Sequence, residues 1–320
     1  MNVLVTGTAG FIGFHLAKRL LAEGHQVTGL DNFNDYYAVR LKEDRHRQLE
    51  TLPGYRGVRG DLCDLELLHR LFREQRFDGV VNLAAQAGVR YSLEHPFAYL
   101  KANLEGHLSV LEACRHGGKP RLVYASSSSV YGGNTKLPFA ETDPVDNPVS
   151  LYAATKKSDE LMSHAYSHLY GMQTIGLRFF TVYGPWGRPD MAMWGFTERI
   201  LKGQPIPVFN HGEMRRDFTY VDDIVSGILG AMTAPGLELY EIFNLGNHQS
   251  EKLLDMIAAL EAAIGRKAKM DLLPMQPGDV PATYADVEKA RTKLGFAPTT
   301  PIEIGVPRFV AWYKDYHGVA

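Results

Sequence analysis

Three glycines, each separated from the next by two residues, in Gly7-Thr8-Ala9-Gly10-Phe11-Ile12-Gly13 constrain this chain more than any other feature. They separate a short apolar run, Asn2 to Thr6, from a segment beginning at Phe11. The run reads as a strand. In the segment, Phe11, Ile12, Leu16, Leu20 and Leu21 share one helical face as far as Glu23, and Gly24 is placed to end the helix. A second strand, Gln26 to Leu30, closes at Asp31. Glycines at a strand tip let the backbone approach a pyrophosphate, and the helix N-terminus behind them offers free N–H groups and the positive end of its dipole. An acidic side chain ending the second strand would accept from adenosine ribose hydroxyls and repel a 2′-phosphate, favouring NAD over NADP. Singly, the glycines fit a tight turn and Asp31 a turn with Asn32. Together they read as a dinucleotide site.

The rhythm continues with a polar helix from Tyr36 to Leu49, a strand from Tyr55 to Arg59, a helix from Leu65 to Gln75 and an apolar strand from Gly79 to Ala84. A long helix, Ala98 to Cys114, a strand, Arg121 to Ala125, a helix, Ala153 to Tyr170, and a strand, Thr174 to Phe180, complete it. Repeated βα units predict an α/β fold, a doubly wound parallel sheet (Rossmann) with right-handed crossovers. Beyond Phe180 the elements shorten: a helix near Gly195 to Lys202, a strand near Pro207, a strand and helix over Asp217 to Ala231, and a helix capped by Ser250 and ended by Gly265. The expected division is residues 1–180 for the cofactor and 181–320 as a smaller C-terminal α/β substrate domain, with about 211–230 returning to the first.

Composition narrows the function classes. A net charge of −2 provides no basic field for nucleic acid or anionic lipid. Two cysteines cannot build a disulfide framework, so a cytoplasmic location is expected. No secretory leader is read at Met1, and no apolar stretch is long enough to span a membrane.

The second constellation is Tyr152-Ala153-Ala154-Thr155-Lys156, which puts a phenol and an ammonium on one helix face. Tyrosine is a poor base at neutral pH unless a neighbouring cation favours the phenolate. Most such pairs are surface contacts. This one gains weight from Ser126 to Ser129 at a neighbouring strand tip, where a serine could bond the hydroxyl that Tyr152 deprotonates. The bland reading of the serines is a polar loop. Asp61 could accept from an adenine amino group or simply cap a turn, and the small Ala84 and Ala85 would let a cofactor lie against the strand tips.

With Ser126-Ser127-Ser128-Ser129-Val130-Tyr131-Gly132, these motifs resemble the extended short-chain dehydrogenase/reductase superfamily in its nucleotide-sugar branch, over essentially the whole chain. The resemblance implies Tyr152 as base, Lys156 as its helper on the nicotinamide ribose, and Ser127 and Ser128 beside the reacting hydroxyl. It implies cofactor contacts at Gly7, Gly10, Phe11, Ile12, Gly13, Asp31, Asn32, Asp61, Leu62, Leu83, Ala84, Ala85 and Asn103. Relatives that dehydrate or oxidatively decarboxylate carry a carboxylate directly before Val-Tyr-Gly; this chain has Ser128-Ser129, so simple epimerisation fits better.

Three stretches resemble the UDP-glucuronate 4-epimerases: Leu30 to Tyr37, Arg178 to Ala192, and Arg215 to Asp223. That subgroup implies a homodimer through a four-helix bundle and UDP-glucuronate and UDP-galacturonate as substrate and product. Thr181 stands where UDP-galactose epimerases have Asn. Arg188 is the candidate for the sugar carboxylate, since a guanidinium grips one bidentately; its bland reading is a solvated loop arginine. Arg90 is a second cation near the sugar, Arg216 matches the diphosphate arginine, and Phe209 and Gln276 fall where uridine contacts are expected. No metal is expected: His164 and His168 lie four apart with no third ligand in view. Asp222-Asp223 reads as a helix cap and Met191, Met193 and Trp194 as packing. The other readings open at this point are a UDP-hexose 4-epimerase, a sugar-nucleotide reductase, and an inactive NAD-binding regulatory module.

Overall fold

The structure is a computed structural model that describes residues 1–276 and 280–319. Six parallel strands, β1 (Asn2–Thr6), β2 (Gln26–Asp31), β3 (Tyr55–Arg59), β4 (Gly79–Asn82), β5 (Arg121–Ser127) and β6 (Thr174–Phe179), form the sheet with a seventh, Tyr240–Leu245. Their spatial order is seventh–β6–β5–β4–β1–β2–β3. The order reverses between β1 and β4, which opens a crevice at their C-terminal tips. Alternation along β1 shows why both faces are covered: Val3 and Val5 join one core with Phe14 and Leu16, while Leu4 joins another with Leu68, Leu71 and Val110.

The seventh strand comes from well beyond Phe180 and pairs with β6 from Tyr240↔Thr174 to Leu245↔Phe179. Helix Val221–Thr233 packs on helix Phe11–Ala22. Over the crevice sit three small strand pairs: Thr181–Tyr183 with Phe218–Tyr220, Pro205–Phe209 with Lys269–Leu273, and Arg215–Arg216 with Glu251–Lys252. No helix among the described residues is long and apolar enough to cross a membrane.

Several boundaries differ from the sequence reading. Strand β4 stops at Asn82, not Ala84, because the amides of Leu83 and Ala84 both turn to the Thr6 hydroxyl, 3.1 Å away. The polar helix begins at Val39, not Tyr36, since the Asn34 side chain accepts from the Tyr36 amide in a turn. Strand β5 runs two residues further than expected and ends on Ser127. The long helix spans 96–116 and widens to π geometry over Leu100–Glu105. Ser250 is not a cap: its hydroxyl accepts from Arg215 Nε at 3.0 Å, and the helix starts at Leu253. Nor does Asp223 cap its own helix; it accepts from the amides of Thr299 and Thr300, both at 3.1 Å.

Candidate active site

The crevice holds a cavity of about 620 Å³. Phe11, the first residue of the helix behind the glycine loop, lines it. Gly7 has φ +75°, and a Cβ there would lie 2.9 Å from the Ala84 amide nitrogen; one on Gly13 would lie 2.1 Å from the Gly7 carbonyl oxygen. Only glycine leaves that cradle open. Asp31 ties it to the tip of β2, accepting from the Ala9 amide at 3.0 Å and the Phe33 amide at 2.8 Å. Asn32 donates to Asp61 at 3.0 Å, and Asp61 also accepts from the Cys63 amide. Burial works against the Asp61 charge, but these bonds outweigh it and hold its carboxyl below the usual range. A bare-backbone cradle with two carboxyl acceptors, Asp31 and Asp61, beside it fits NAD. Phe11, Ile12, Leu62, Leu83, Ala84 and Ala85 lie on the segments around it. Asn103 is buried, and its amide braces the loop after β4 against the next helix: it accepts from Gln86 N and donates to Gln86 O and Thr155 Oγ1.

That helix, Leu151–Tyr170, is capped by Ser150, whose hydroxyl accepts from the Ala153 amide at 3.1 Å. It puts Tyr152 on the cavity wall with Ser127 and Ser128. Lys156, one turn on, is almost wholly buried; its ammonium donates to the Ala125 carbonyl and to Asp159, each at 3.1 Å. Ser127 Oγ accepts from the Ser129 amide, which turns the chain directly after β5. Buried Glu160 fastens the helix to the strand tips. It takes a bidentate pair from Arg178, both bonds 2.9 Å, and a bond from Ser126 at 2.7 Å. Arg178 in turn lies over the Tyr131 ring, 4.8 Å from its centroid.

Arginines also line the cavity. Arg188 lines the cavity and donates to Asp190 from Nε (3.1 Å) and Nη2 (2.9 Å). Burial opposes its charge, but Asp190 and the phenols of Tyr152 and Tyr36 raise its pKa further. Thr181 lines the same space, as do Arg90, stacked 5.1 Å from the Phe209 ring centroid, and Arg216, which donates to the carbonyls of Arg215 and Pro281. Gln276 lies outside that lining; its Oε1 is buried with no hydrogen-bond partner among the described residues. His164 and His168 are exposed, and no three His, Cys, Asp or Glu side chains among the described residues could hold a metal. Met193 and Trp194 are buried packing.

Sequence reasoning missed three residues. Asp217 is fully buried, accepts from the amides of Asn247 (2.5 Å) and Ala285 (3.1 Å), and is pushed up to about 6 by burial. Arg45 is fully buried, and His15, pushed down to about 4 by burial, bonds the Pro185 carbonyl at 2.8 Å. Leu41 and Leu49, one turn either side of Arg45, are the sequence signal that this side chain faces inward.

A doubly wound sheet with a glycine cradle at its switch point, and a cavity lined by Tyr152 and Ser127, fits a nucleotide-dependent enzyme that works on a hydroxyl-bearing carbon. The chain belongs to the NAD dependent epimerase/dehydratase family, whose model matches residues 3–246. It is 48% identical to UDP-glucuronate 4-epimerase 4 of Arabidopsis thaliana, over 99% of this chain and 76% of that one. It is 47% identical to a probable UDP-glucuronate 4-epimerase of Rhizobium meliloti, over 98% and 97%. Among solved structures, UDP-glucuronic acid 4-epimerase from Bacillus cereus, in complex with UDP-glucuronic acid and NAD, superposes with a TM-score of 0.93 at 34% identity, covering 99% of this chain and 100% of that one.

Proposed function

We propose that this protein interconverts UDP-glucuronate and UDP-galacturonate by 4-epimerisation. Tyr152 takes the proton of the sugar 4-hydroxyl, and Ser127, with Ser128 beside it, aligns that hydroxyl. Lys156 supplies the positive charge that favours the phenolate. Bound NAD supplies the hydride acceptor and donor for carbon 4. The 4-keto sugar turns over within the cavity and is reduced on its other face, with Tyr152 returning the proton. Residues 128 and 129 carry no carboxylate, so nothing there would expel a neighbouring hydroxyl. The keto intermediate is a β-keto acid that could lose carbon dioxide. A fixed grip on the carboxylate by Arg188, with Thr181, therefore protects the product as well as selecting the substrate. Arg216 is assigned to the diphosphate, and Arg90, Phe209 and Gln276 to the uridine and sugar side.

The observation that carries this reading is Arg188 lining the same cavity as Tyr152, held by Asp190. A charge-assisted bond to a carboxylate is worth roughly 1.5–3 kcal/mol, or about 10–150-fold. UDP-glucuronate should therefore be preferred over UDP-glucose by at least about tenfold in kcat/KM in a product assay on both. Equal efficiency would return the UDP-hexose epimerase reading.

The assembly reading is a homodimer. Helices 96–116 and 151–170 leave Phe97 79%, Leu161 58% and Leu169 65% exposed, which a second copy would cover. Light scattering should give twice the 35.7 kDa chain mass, and Leu161→Glu should shift it toward one chain; a monomeric parent rejects the dimer. Both cysteines are free, which supports a reducing, cytoplasmic setting.

A further inference from the structure

Three successive carbonyls, those of Pro185, Trp186 and Gly187, are gripped by side chains from the other end of the chain. His15 on helix Phe11–Ala22 bonds the first at 2.8 Å. Arg45 on helix Val39–Glu50 donates from Nη2 to the second at 2.6 Å and the third at 3.1 Å. Its Nη1 donates to the Ala9 carbonyl of the glycine loop and to the Tyr37 hydroxyl, both at 2.8 Å. Arg45 is 0% exposed. No carboxylate is among these four acceptors. A buried guanidinium is costly unless oxygens surround it, so its fork holds both loops in one geometry or neither. Trp186 has φ +60°, a backbone state that a tryptophan adopts only when its surroundings impose it. Arg188 is the next residue but one.

We propose that Arg45 is the positioning residue that sets the Pro185–Arg188 loop and locks it to the glycine loop, so that seating the cofactor and presenting Arg188 to the sugar depend on one side chain. The inference rests on the proposed function for the sugar it names, but the link to the glycine loop does not. A lysine at this position would keep the charge but could not bridge Ala9 on one side and Trp186 and Gly187 on the other.

The test uses purified holoenzyme carrying Arg45→Lys, with Tyr37→Phe as a milder variant that leaves the three carbonyl contacts of Arg45 intact. Three quantities are read: kcat/KM on UDP-glucuronate and on UDP-glucose, the Kd of UDP alone, and NAD retained per chain after gel filtration. Arg45→Lys should lower kcat/KM on UDP-glucuronate by about 10–100-fold, because a small displacement of a binding group costs that much. UDP-glucose should suffer less, NAD retention should fall, and UDP affinity should stay within about twofold, since a general loss of fold would lower it too. Tyr37→Phe should lower kcat/KM on UDP-glucuronate and NAD retention by smaller factors, with UDP affinity again unchanged, and it carries the test if Arg45→Lys does not fold. A variant that keeps the parent's sugar preference, that holds NAD as firmly as the parent, or that loses UDP affinity in step with activity overturns the inference. A parent with no preference overturns the proposed function instead, and NAD retention then decides on Arg45.

Discussion

Tyr152→Phe is expected to lose about 10²- to 10⁴-fold in kcat while KM for the UDP-sugar stays within a few-fold. The substitution removes one hydroxyl from a ring that already sits against the cavity wall, edge-on to Tyr99 with centroids 6.1 Å apart. The ring and its packing remain. What goes is the only proposed proton acceptor beside Ser127, and Lys156 cannot substitute, because its ammonium is directed at the Ala125 carbonyl and Asp159. Steady-state kinetics on the variant, with isothermal titration of the nucleotide sugar, separates the two effects. Turnover within a few-fold of the parent would show that another group takes the proton.

Glu160→Ala is expected to cost about 3–5 kcal/mol of stability, read from urea unfolding. Glu160 and Arg178 are both almost fully buried, at 1% and 3% exposure. Removing the carboxylate leaves the Arg178 guanidinium without its counter-charge beside the Tyr131 ring, in a place water does not reach, and one of its nitrogens, Nη1, already lacks a partner among the described residues. The double variant Glu160→Met with Arg178→Met should recover most of the loss, because two apolar groups leave no orphaned charge. If the double variant is as unstable as the single one, the loss comes from packing and the ion pair is not its cause. Activity should fall with Glu160→Ala even under conditions where the protein stays folded, since the same carboxylate, accepting from the Ser126 hydroxyl, joins the helix carrying Tyr152 to the strand that ends on Ser127.

Much of this was legible in the chain itself. β1 and β3 fall on their predicted residues because each is bounded by turn chemistry: Gly7 after one, Gly54 before and Gly60 after the other. The glycine cradle and the Tyr-Lys helix carry local signals, periodicity and spacing, that do not depend on the rest of the molecule. What stayed hidden depends on distant partners. The end of β4 is decided by a hydroxyl on Thr6, and the role of Asp223 by the amides of Thr299 and Thr300. Arg45 was read as part of a polar helix, although its place between Leu41 and Leu49 puts it on the inward face; nothing local says that the backbone it meets there is that of residues 186 and 187. Asp217 was hidden for the same reason, its amide donors lying thirty or more residues further along.

The strand Tyr240–Leu245 bears on how such an enzyme can be altered, by evolution or by design. Because it zips onto β6 along six residue pairs, a fragment ending at Phe180 would leave an apolar sheet edge open and one core without most of its residues. Crossing two relatives at that point would therefore join a sheet from one parent to the edge strand of the other, and every mismatch along that seam would fall in the interior. Specificity in this architecture cannot be transplanted as a cassette. It has to be rewritten in the connecting loops, a few residues at a time, with the sheet left intact beneath them.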